Sequence, residues 1–330
     1  MGVTIYEVAE RASVSISTVS LVLNAPARVK QETRTRVLAA IDELGFVPKA
    51  RAVTQARRGL TRVGVLAPFS AYASYARRLE GILVAAQPQG IDVVVFDHAS
   101  VAEKVSPLLD TLPVGGRLDA LIVMGVPLSE EAESRLRDRQ LPTVLVDVTS
   151  QTRFSGVDID DETGGFDLGQ HLVEAGHHRI AYVHEAQRSN AYTSPGQRRV
   201  AGIRRSLAAA RADRAELLDF TVDNGVAGAA GIVPKLLDDG FTAAIGHHDV
   251  LAAGLVRGLR DLGLEPPDGL AVAGFDDGDL AEALDITTMR QPFRESGQLA
   301  FELLQTVIAG GSPRRIALPL TLMPRSTTGF

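Results

Sequence analysis

In open parallel sheets, ligands bind beyond the carboxyl ends of the strands, so polar residues just after short apolar runs are the first candidates for chemistry. In this 330-residue sequence Asp147 follows the run 143–146, His248 and Asp249 follow a run ending at Gly246, and Asp276 and Asp277 follow 270–275. Gln291 comes directly after a run closed by Arg290, and Arg199 stands near the start of a helical pattern behind the loop 192–196. Two or three carboxylates, one guanidinium and one amide converging on a cleft would suit a polyhydroxylated ligand, because each hydroxyl both donates and accepts. Taken singly, every one of these positions also fits a turn or a helix cap.

Signatures of covalent, phosphate-loop or zinc catalysis are missing: there is no G-x-x-x-x-G-K-[ST], no G-x-S-x-G and no H-E-x-x-H. The sequence has no Cys, which excludes a disulfide framework, a thiolate metal site and a cysteine nucleophile. Its seven His include the doublets His177-His178 and His247-His248. Neighbouring residues on a strand or helix point in different directions, so a doublet is poor metal geometry, and capping or surface roles are expected instead. The acidic group Asp158, Asp160, Asp161 and Glu162 ends a strand and precedes a helix, where carboxylates favour the exposed amides of the helix start. No metal and no cofactor is expected.

The elements that must position these residues repeat one unit: a short apolar run, a turn, then an amphipathic helix. Strands are predicted at 62–67, 91–96, 120–124, 143–146, 156–159, 179–183, 242–246, 270–274 and 287–290, and helices at 76–87, 129–139, 165–175, 198–210, 250–262 and 295–309. Strands alternating with helices of about 10 to 15 residues argue for parallel sheets covered on both faces. Nine strands after residue 61 suit two such sheets better than one. A share of 45% apolar residues supports large cores and excludes disorder. No run approaches the ~20 apolar residues that span a bilayer, and the first ten residues lack a secretory pattern. A soluble, cytoplasmic protein is expected.

The amino-terminal part differs from the rest. Ile5, Val8, Ala9 and Ala12 lie on one helical face behind a Thr4 cap, Val19, Val22 and Leu23 on a second, and Thr33, Val37, Ile41 and Leu44 on a third that Gly45 ends. Two short helices joined by a tight turn make a helix-turn-helix unit. Residues 1–60 carry nine Lys or Arg against five Asp or Glu, whereas the remainder carries 25 against 35 despite an overall charge of -6. A basic head on an acidic body suggests contact with a polyanion, although the imbalance alone fits a solvated surface equally well. From 46 to 60 the apolar stripe vanishes and Lys49, Arg51, Arg57 and Arg58 remain, a basic connector too short and too polar to be a stable helix alone.

Together these residues carry a pattern: Val3-Thr4-Ile5-Tyr6-Glu7-Val8-Ala9, Val14-Ser15-Ile16-Ser17-Thr18-Val19-Ser20, Val22-Leu23-Asn24, Glu32-Thr33-Arg34 and Val37 to Ile41. It continues through Gly176-His177, Ile180-Ala181, Arg199 with Ala201-Gly202, Gly274-Phe275-Asp276-Asp277, Thr287-Thr288 and Arg290-Gln291-Pro292. The sequence strongly resembles the lactose-repressor (LacI/GalR) family of bacterial transcription regulators. The resemblance implies an α/β chain with a three-helix helix-turn-helix head, residues 1–46, and a basic hinge, 47–60. A core over 61–330 would follow, with two lobes of parallel sheets like those of periplasmic sugar-binding proteins. One lobe is expected at about 61–160 and 291–320, the other at about 161–290 and 321–330.

It further implies a homodimer that represses transcription from a pseudo-palindromic operator in double-stranded DNA under control of a small effector, a sugar or sugar derivative; with no apolar heptads after Met323-Pro324-Arg325, dimers and not tetramers are expected. Ile16, Ser17 and Leu21 would then face base edges, while Thr4, Ser15, Thr18, Ser20, Asn24 and Thr33 touch phosphate or hold the helices, and Lys49, Arg51 and Gln55 meet DNA from the hinge. Effector contacts map onto Asp147, Arg199, His248, Asp276 and Gln291, with Phe69 and Tyr72 available to stack on a sugar face. Four positions depart from the family pattern. Leu21 replaces an Arg, removing the common guanine contact; Gln55 replaces a wedging Leu; Ser13 replaces the turn Gly; and His248 stands where Asn is common. A purine-type corepressor, a sugar-binding protein with an impaired head and a sugar-acting enzyme are the rival readings.

Overall fold

The computed structural model describes residues 3–47, 60–70, 72–98, 107–148, 153–186, 193–210, 215–223 and 225–329. The hinge positions Lys49, Arg51 and Gln55 lie outside the described residues. The head is three helices: α1 (Ile5–Arg11), α2 (Ile16–Asn24) and α3 (Gln31–Leu44). Thr4 and Glu7 form a capping box at α1, with the Thr4 amide donating to Glu7 Oε2 at 2.6 Å and the Glu7 amide to Thr4 Oγ1 at 3.4 Å. Ser15 caps α2 by accepting from the Thr18 amide at 3.1 Å, and Gly45 ends α3 in the left-handed region at φ +63°. Val8, Ala9, Val19, Val22, Val37, Leu38 and Ile41 meet in one buried cluster. Between α1 and α2 the turn puts Ser13 at φ +52°, the conformation a glycine would hold without strain.

The core follows in chain order as β1 (Arg62–Ala67), α4 (Ser74–Ala86), β2 (Asp92–Asp97), α5 (Pro107–Gly115), β3 (Ala120–Met124), α6 (Glu130–Asp138), β4 (Thr143–Val146) and β5 (Ser155–Ile159). Then come α7 (Asp161–Glu174), β6 (Arg179–Glu185), α8 (Pro195–Ala210), β7 (Glu216–Val222), α9 (Val226–Asp238), β8 (Ala243–Gly246), α10 (Asp249–Asp261) and β9 (Ala271–Asp276). The chain closes with α11 (Asp279–Ala283), β10 (Thr287–Arg290), α12 (Phe293–Ile308), β11 (Arg315–Leu318) and β12 (Thr321–Met323). Two compact units result, Met1–Asp158 with Phe293–Ile316 and Ile159–Pro292 with Ala317–Phe330.

Each unit holds one six-stranded sheet, ordered β11-β5-β4-β3-β1-β2 in the first and β12-β10-β9-β8-β6-β7 in the second. The order reverses between β1 and β3 in one and between β6 and β8 in the other, and such a switch point opens a crevice at the strands' carboxyl ends. Strands β1 to β5 and β6 to β10 pair in parallel as expected, whereas β12 runs antiparallel to β10. Helices α5, α9 and α11 and strands β7, β11 and β12 were not predicted. Strand β7 is a half-exposed edge, and α9 has Gly, Ala and Pro234 interrupting its apolar stripe.

Two helix pairs approach so closely that only hydrogen fits at the contact. A Cβ on Gly165 would meet the Arg199 carbonyl and one on Gly202 the Glu162 carbonyl, so α7 and α8 touch backbone to backbone. Gly81 and Gly297 serve α4 and α12 in the same way, against the carbonyls of Arg294 and Arg78. Both contacts set the height at which an arginine leaves its helix.

Relieving the left-handed strain of Ser13 with Ser13→Gly is expected to stabilise the head by up to about 1 kcal/mol, read from denaturant unfolding of the full chain.

Candidate functional site

The second unit brings three of the expected effector residues, His248, Asp276 and Gln291, together with Glu185, each delivered by a neighbouring strand end. Glu185 closes β6, His248 follows β8, Asp276 closes β9 and Gln291 follows β10. His248 Nε2 lies 2.9 Å from Glu185 Oε1, a contact across the switch point, and Gln291 Nε2 donates to Asp276 Oδ1 at 2.5 Å. Burial works against a charged His248, but the Glu185 carboxylate more than offsets it and raises the imidazole pKa; the same contact lowers that of Glu185 despite its burial.

Arg199 rises into this cluster from α8. Its Nε donates to Asp161 Oδ1 at 2.8 Å and its Nη1 to the His247 carbonyl at 2.6 Å, while the guanidinium lies over the Phe275 ring at 4.3 Å. Arg198 donates to the other Asp161 oxygen at 2.7 Å. Burial disfavours the Arg199 charge, yet Asp161 restores it and raises its pKa. His247 Nδ1 is 2.8 Å from the Tyr182 hydroxyl, and burial followed by the Arg199 charge holds this imidazole neutral.

The turn behind Asp276 is strained and heavily braced. Asp276 sits at φ +111° and Asp277 at φ +53°, conformations that cost about 1–3 kcal/mol each and persist only where their surroundings impose them. Asp277 accepts from Arg290 at 2.6 Å and from Arg325 at 2.7 Å. Asp249, buried on α10, accepts from the Gly278 amide and the Thr288 hydroxyl, both at 2.7 Å. Burial, and then the carboxylate of Asp276, push the Asp249 pKa up to about 7.

In the first unit Asp147 follows β4 at φ +53° and is held by the buried guanidinium of Arg78, which rises from α4 beside the Gly81–Gly297 contact. Arg78 also lies over the rings of Phe293 and Tyr75, at 4.7 and 5.5 Å. Tyr72 is 38% exposed and meets Tyr75 edge-on at 6.2 Å, and Phe69 is half-buried beyond β1.

On the head, Ile16, Ser17 and Leu21 all face solvent from α2. Thr4, Ser15 and Thr18 are engaged in caps, Thr18 Oγ1 lying 2.9 Å from Ser15 Oγ, and Thr33 is half-buried on α3. Asn24 donates to Ser20 Oγ at 3.0 Å and accepts from Arg117.

Two expectations change. His247 and His248 are not surface caps: His248 occupies the N-cap place of α10, but its side chain caps nothing and turns to Glu185. Of the acidic group, Asp160 does cap α7, accepting from the Thr163 amide at 3.1 Å, but Asp161 is buried as the partner of two arginines. Glu185 was missed although it ends an apolar run, the signal that found its neighbours. Asp249 carries the same signal, Asp161 reads in the sequence only as a helix-start carboxylate, and Arg78 lies inside a helix with no comparable signal. Among the described residues no group of three or more His, Asp or Glu could hold a metal ion, and no helix is long and apolar enough to cross a membrane.

A helix-turn-helix head on two doubly wound sheets, with polar clusters at their strand ends, defines a DNA-binding regulator with a ligand-binding core. Residues 4–49 match the model of bacterial regulatory proteins of the lacI family, and residues 170–328 match the periplasmic binding protein-like domain. Catabolite control protein A of Priestia megaterium is 33% identical over 92% of each chain, and the transcriptional repressor PurR of Vibrio campbellii is 31% identical over 91% of this chain and 90% of its own. Among solved structures, the transcriptional regulator CelR in complex with cellobiose superposes with a TM-score of 0.68 at 29% identity, covering 98% of this chain and 99% of the other. The lac repressor dimer bound to operator and the anti-inducer ONPF gives 0.68 at 26%, covering 99% of both. The chain belongs to the LacI family of transcription regulators, and the relatives it matches are regulators, not enzymes.

Two outcomes test the site's construction. Because Asp249 titrates higher in the folded chain than in the unfolded one, its contribution to stability is greatest below about pH 4 and is lost as pH rises through about 7. Asp249→Asn is expected to flatten that decline, read from denaturant midpoints between pH 5 and 8. Gly202→Ala should destabilise the chain by about 1–3 kcal/mol by forcing α8 off α7, read the same way.

Proposed function

We propose that this chain is a repressor that binds a pseudo-palindromic operator as a homodimer, and that a neutral, polyhydroxylated effector of the sugar class controls it. The observation that carries the effector class is the cluster at the ends of β6, β8, β9 and β10. It combines Glu185, His248, Asp276 and Gln291 with Arg199, alternating donors and acceptors of the kind a ring of hydroxyls needs. The cations there already have carboxylate partners, Arg199 and Arg198 with Asp161 and His248 with Glu185, as Arg78 has Asp147 in the first unit. A phosphorylated ligand would have to displace one of these pairs, whereas a neutral polyol can accept and donate around them. The family resemblance assigns Asp147, Phe69 and Tyr72 to the effector as well, the carboxylate as an acceptor and the rings as stacking faces. The cellobiose complex of CelR and the ribose complex of an Enterococcus faecium LacI-family regulator support this class.

A purine-type corepressor is the second reading, favoured by the likeness to PurR. A purine base is also neutral, and its flat ring would use Tyr72 and Phe69 more and the carboxylates less.

Ile16, Ser17 and Leu21 would read bases, the two aliphatic side chains through thymine methyls, while Thr4, Ser15, Thr18, Ser20, Asn24 and Thr33 place the head on the phosphates. Lys49, Arg51 and Gln55 are assigned to the hinge's contact with DNA. An effector switches such a protein only by binding its two states with different affinity. Release from DNA on sugar binding is the proposed direction.

The test is selection of sheared DNA from the source genome by the purified chain, followed by sequencing and by addition of neutral mono- and disaccharides. One recurring pseudo-palindrome, released by a sugar, is the expected result; a site bound only when a purine is added would establish the second reading. Asn24→Ala and Thr33→Ala should weaken binding to all sequences alike, whereas substitutions of Ile16 or Leu21 should change the preferred sequence. Retention of the same preference by Leu21→Ala would remove Leu21 from the reading face.

A further inference from the structure

The carboxyl end of α3 is closed by side chains of the first lobe. Arg139, just past α6, donates through Nη1 to the Phe46 carbonyl at 3.0 Å and through Nη2 to Asp42 Oδ1 at 2.9 Å and the Ile41 carbonyl at 3.4 Å. A cation there complements the negative end of the helix dipole and adds a donor to the Ile41 carbonyl, which already accepts from the Phe46 amide at 3.1 Å. One turn earlier, Arg135 reaches Asp42 at 3.3 Å and Asp110 of α5 at 3.2 Å, and Asp110 meets Arg34 of α3 at 3.6 Å.

Arg34, Asp110, Arg135, Asp42 and Arg139 thus form one seam of alternating sign in which head and lobe each supply partners. The side chains of Arg34, Asp110, Arg139 and Arg135 are only 7, 14, 12 and 18% exposed, well beyond the ordinary surface ion pair. An apolar contact runs beside it, because Val114 of α5 is fully buried within the head's own core cluster.

The seam leaves the reading face open: Ile16 and Leu21 stay 39% and 37% exposed. It also brings a lobe cation to that face, since Arg117 donates to Asn24 at the end of α2, where phosphate is assigned. We propose that α5 and α6 form a cradle that carries the head in its DNA-reading orientation, so that the lobe's position reaches the head through this seam as well as through the connector. The orientation part rests on the DNA-binding reading above. A head held by the connector alone must lose more orientational freedom on binding than one already docked, and docking therefore tightens binding without adding a contact to DNA.

The experiment uses the full chain with Arg135→Gln and Arg139→Gln combined, and separately Asp110→Asn, which weakens the seam from its other end. Backbone hydrogen exchange of residues 41–46 reads the docking directly and needs neither effector nor DNA. Exchange there should speed up at least tenfold in the variants, and in wild type when salt is raised to about 1 M, where screening acts within about 3 Å. Binding to the DNA selected by the wild-type chain should weaken fivefold or more in both variants, with the same preferred sequence. Unchanged exchange would overturn the cradle. Faster exchange with unchanged affinity would overturn its role in orienting the head, and tighter binding would make the seam a mask. If the wild-type chain selects no DNA at all, the DNA-binding reading fails, and the exchange data still decide whether the head is docked.

Discussion

Two helix contacts without side chains set the geometry on which the ligand-facing chemistry depends. Where Gly165 and Gly202 let α7 and α8 meet through their backbones, Asp161 at the start of one helix comes within hydrogen-bonding reach of Arg199 on the other. The same device at Gly81 and Gly297 fixes α4 on α12 and holds Arg78 under Asp147. Each buried guanidinium is thus tied to a carboxylate by the packing of glycines. That matters because an arginine taken out of water without its partner would cost several kcal/mol, of the order of 3–5. A methyl group at these contacts would separate partners whose attraction makes their burial tolerable.

On this frame the second sheet presents its polar residues by topology. The reversal of strand order between β6 and β8 leaves an opening at their carboxyl ends, and Glu185 and His248 bridge it. The next two strand ends add Asp276 and Gln291. Backbone strain at Asp276 and Asp277 is sustained by Asp249, Arg290 and Arg325, so the carboxylate proposed to meet the effector is braced by residues assigned no contact with it. Raising the pKa of Asp249 is the electrostatic consequence of placing one buried carboxylate behind another.

The head obeys a different economy. Its core is small, and its helices depend on caps at Thr4, Ser15 and Gly45 together with the seam onto α5 and α6. On α2 Val19 and Val22 are buried in the head's core while Ile16 and Leu21 stay exposed, the two side chains assigned above to base reading.

The sequence by itself determined the alternation of strand and helix, the caps of the head and the polar residues that follow apolar runs, because these are local properties with periods of two or 3.6 residues and recognisable turn chemistry. It therefore placed Asp147, His248, Asp276 and Gln291 at strand ends before any fold was known, and the family pattern added Arg199. It did not reveal Arg78, nor the partners of Asp161 and Asp249, which the sequence marks only as residues at helix starts until a second helix or turn arrives beside them. Nor did it reveal the half-exposed strand β7 or the glycine-rich α9, whose weak periodicity hides them. Only the tertiary structure decided which histidine of the doublet faces Glu185 and which faces Tyr182, and that Arg135 and Arg139 close the end of α3. These are contacts between residues some 60 to 100 positions apart, and such pairings are set by how elements pack, which no local pattern records.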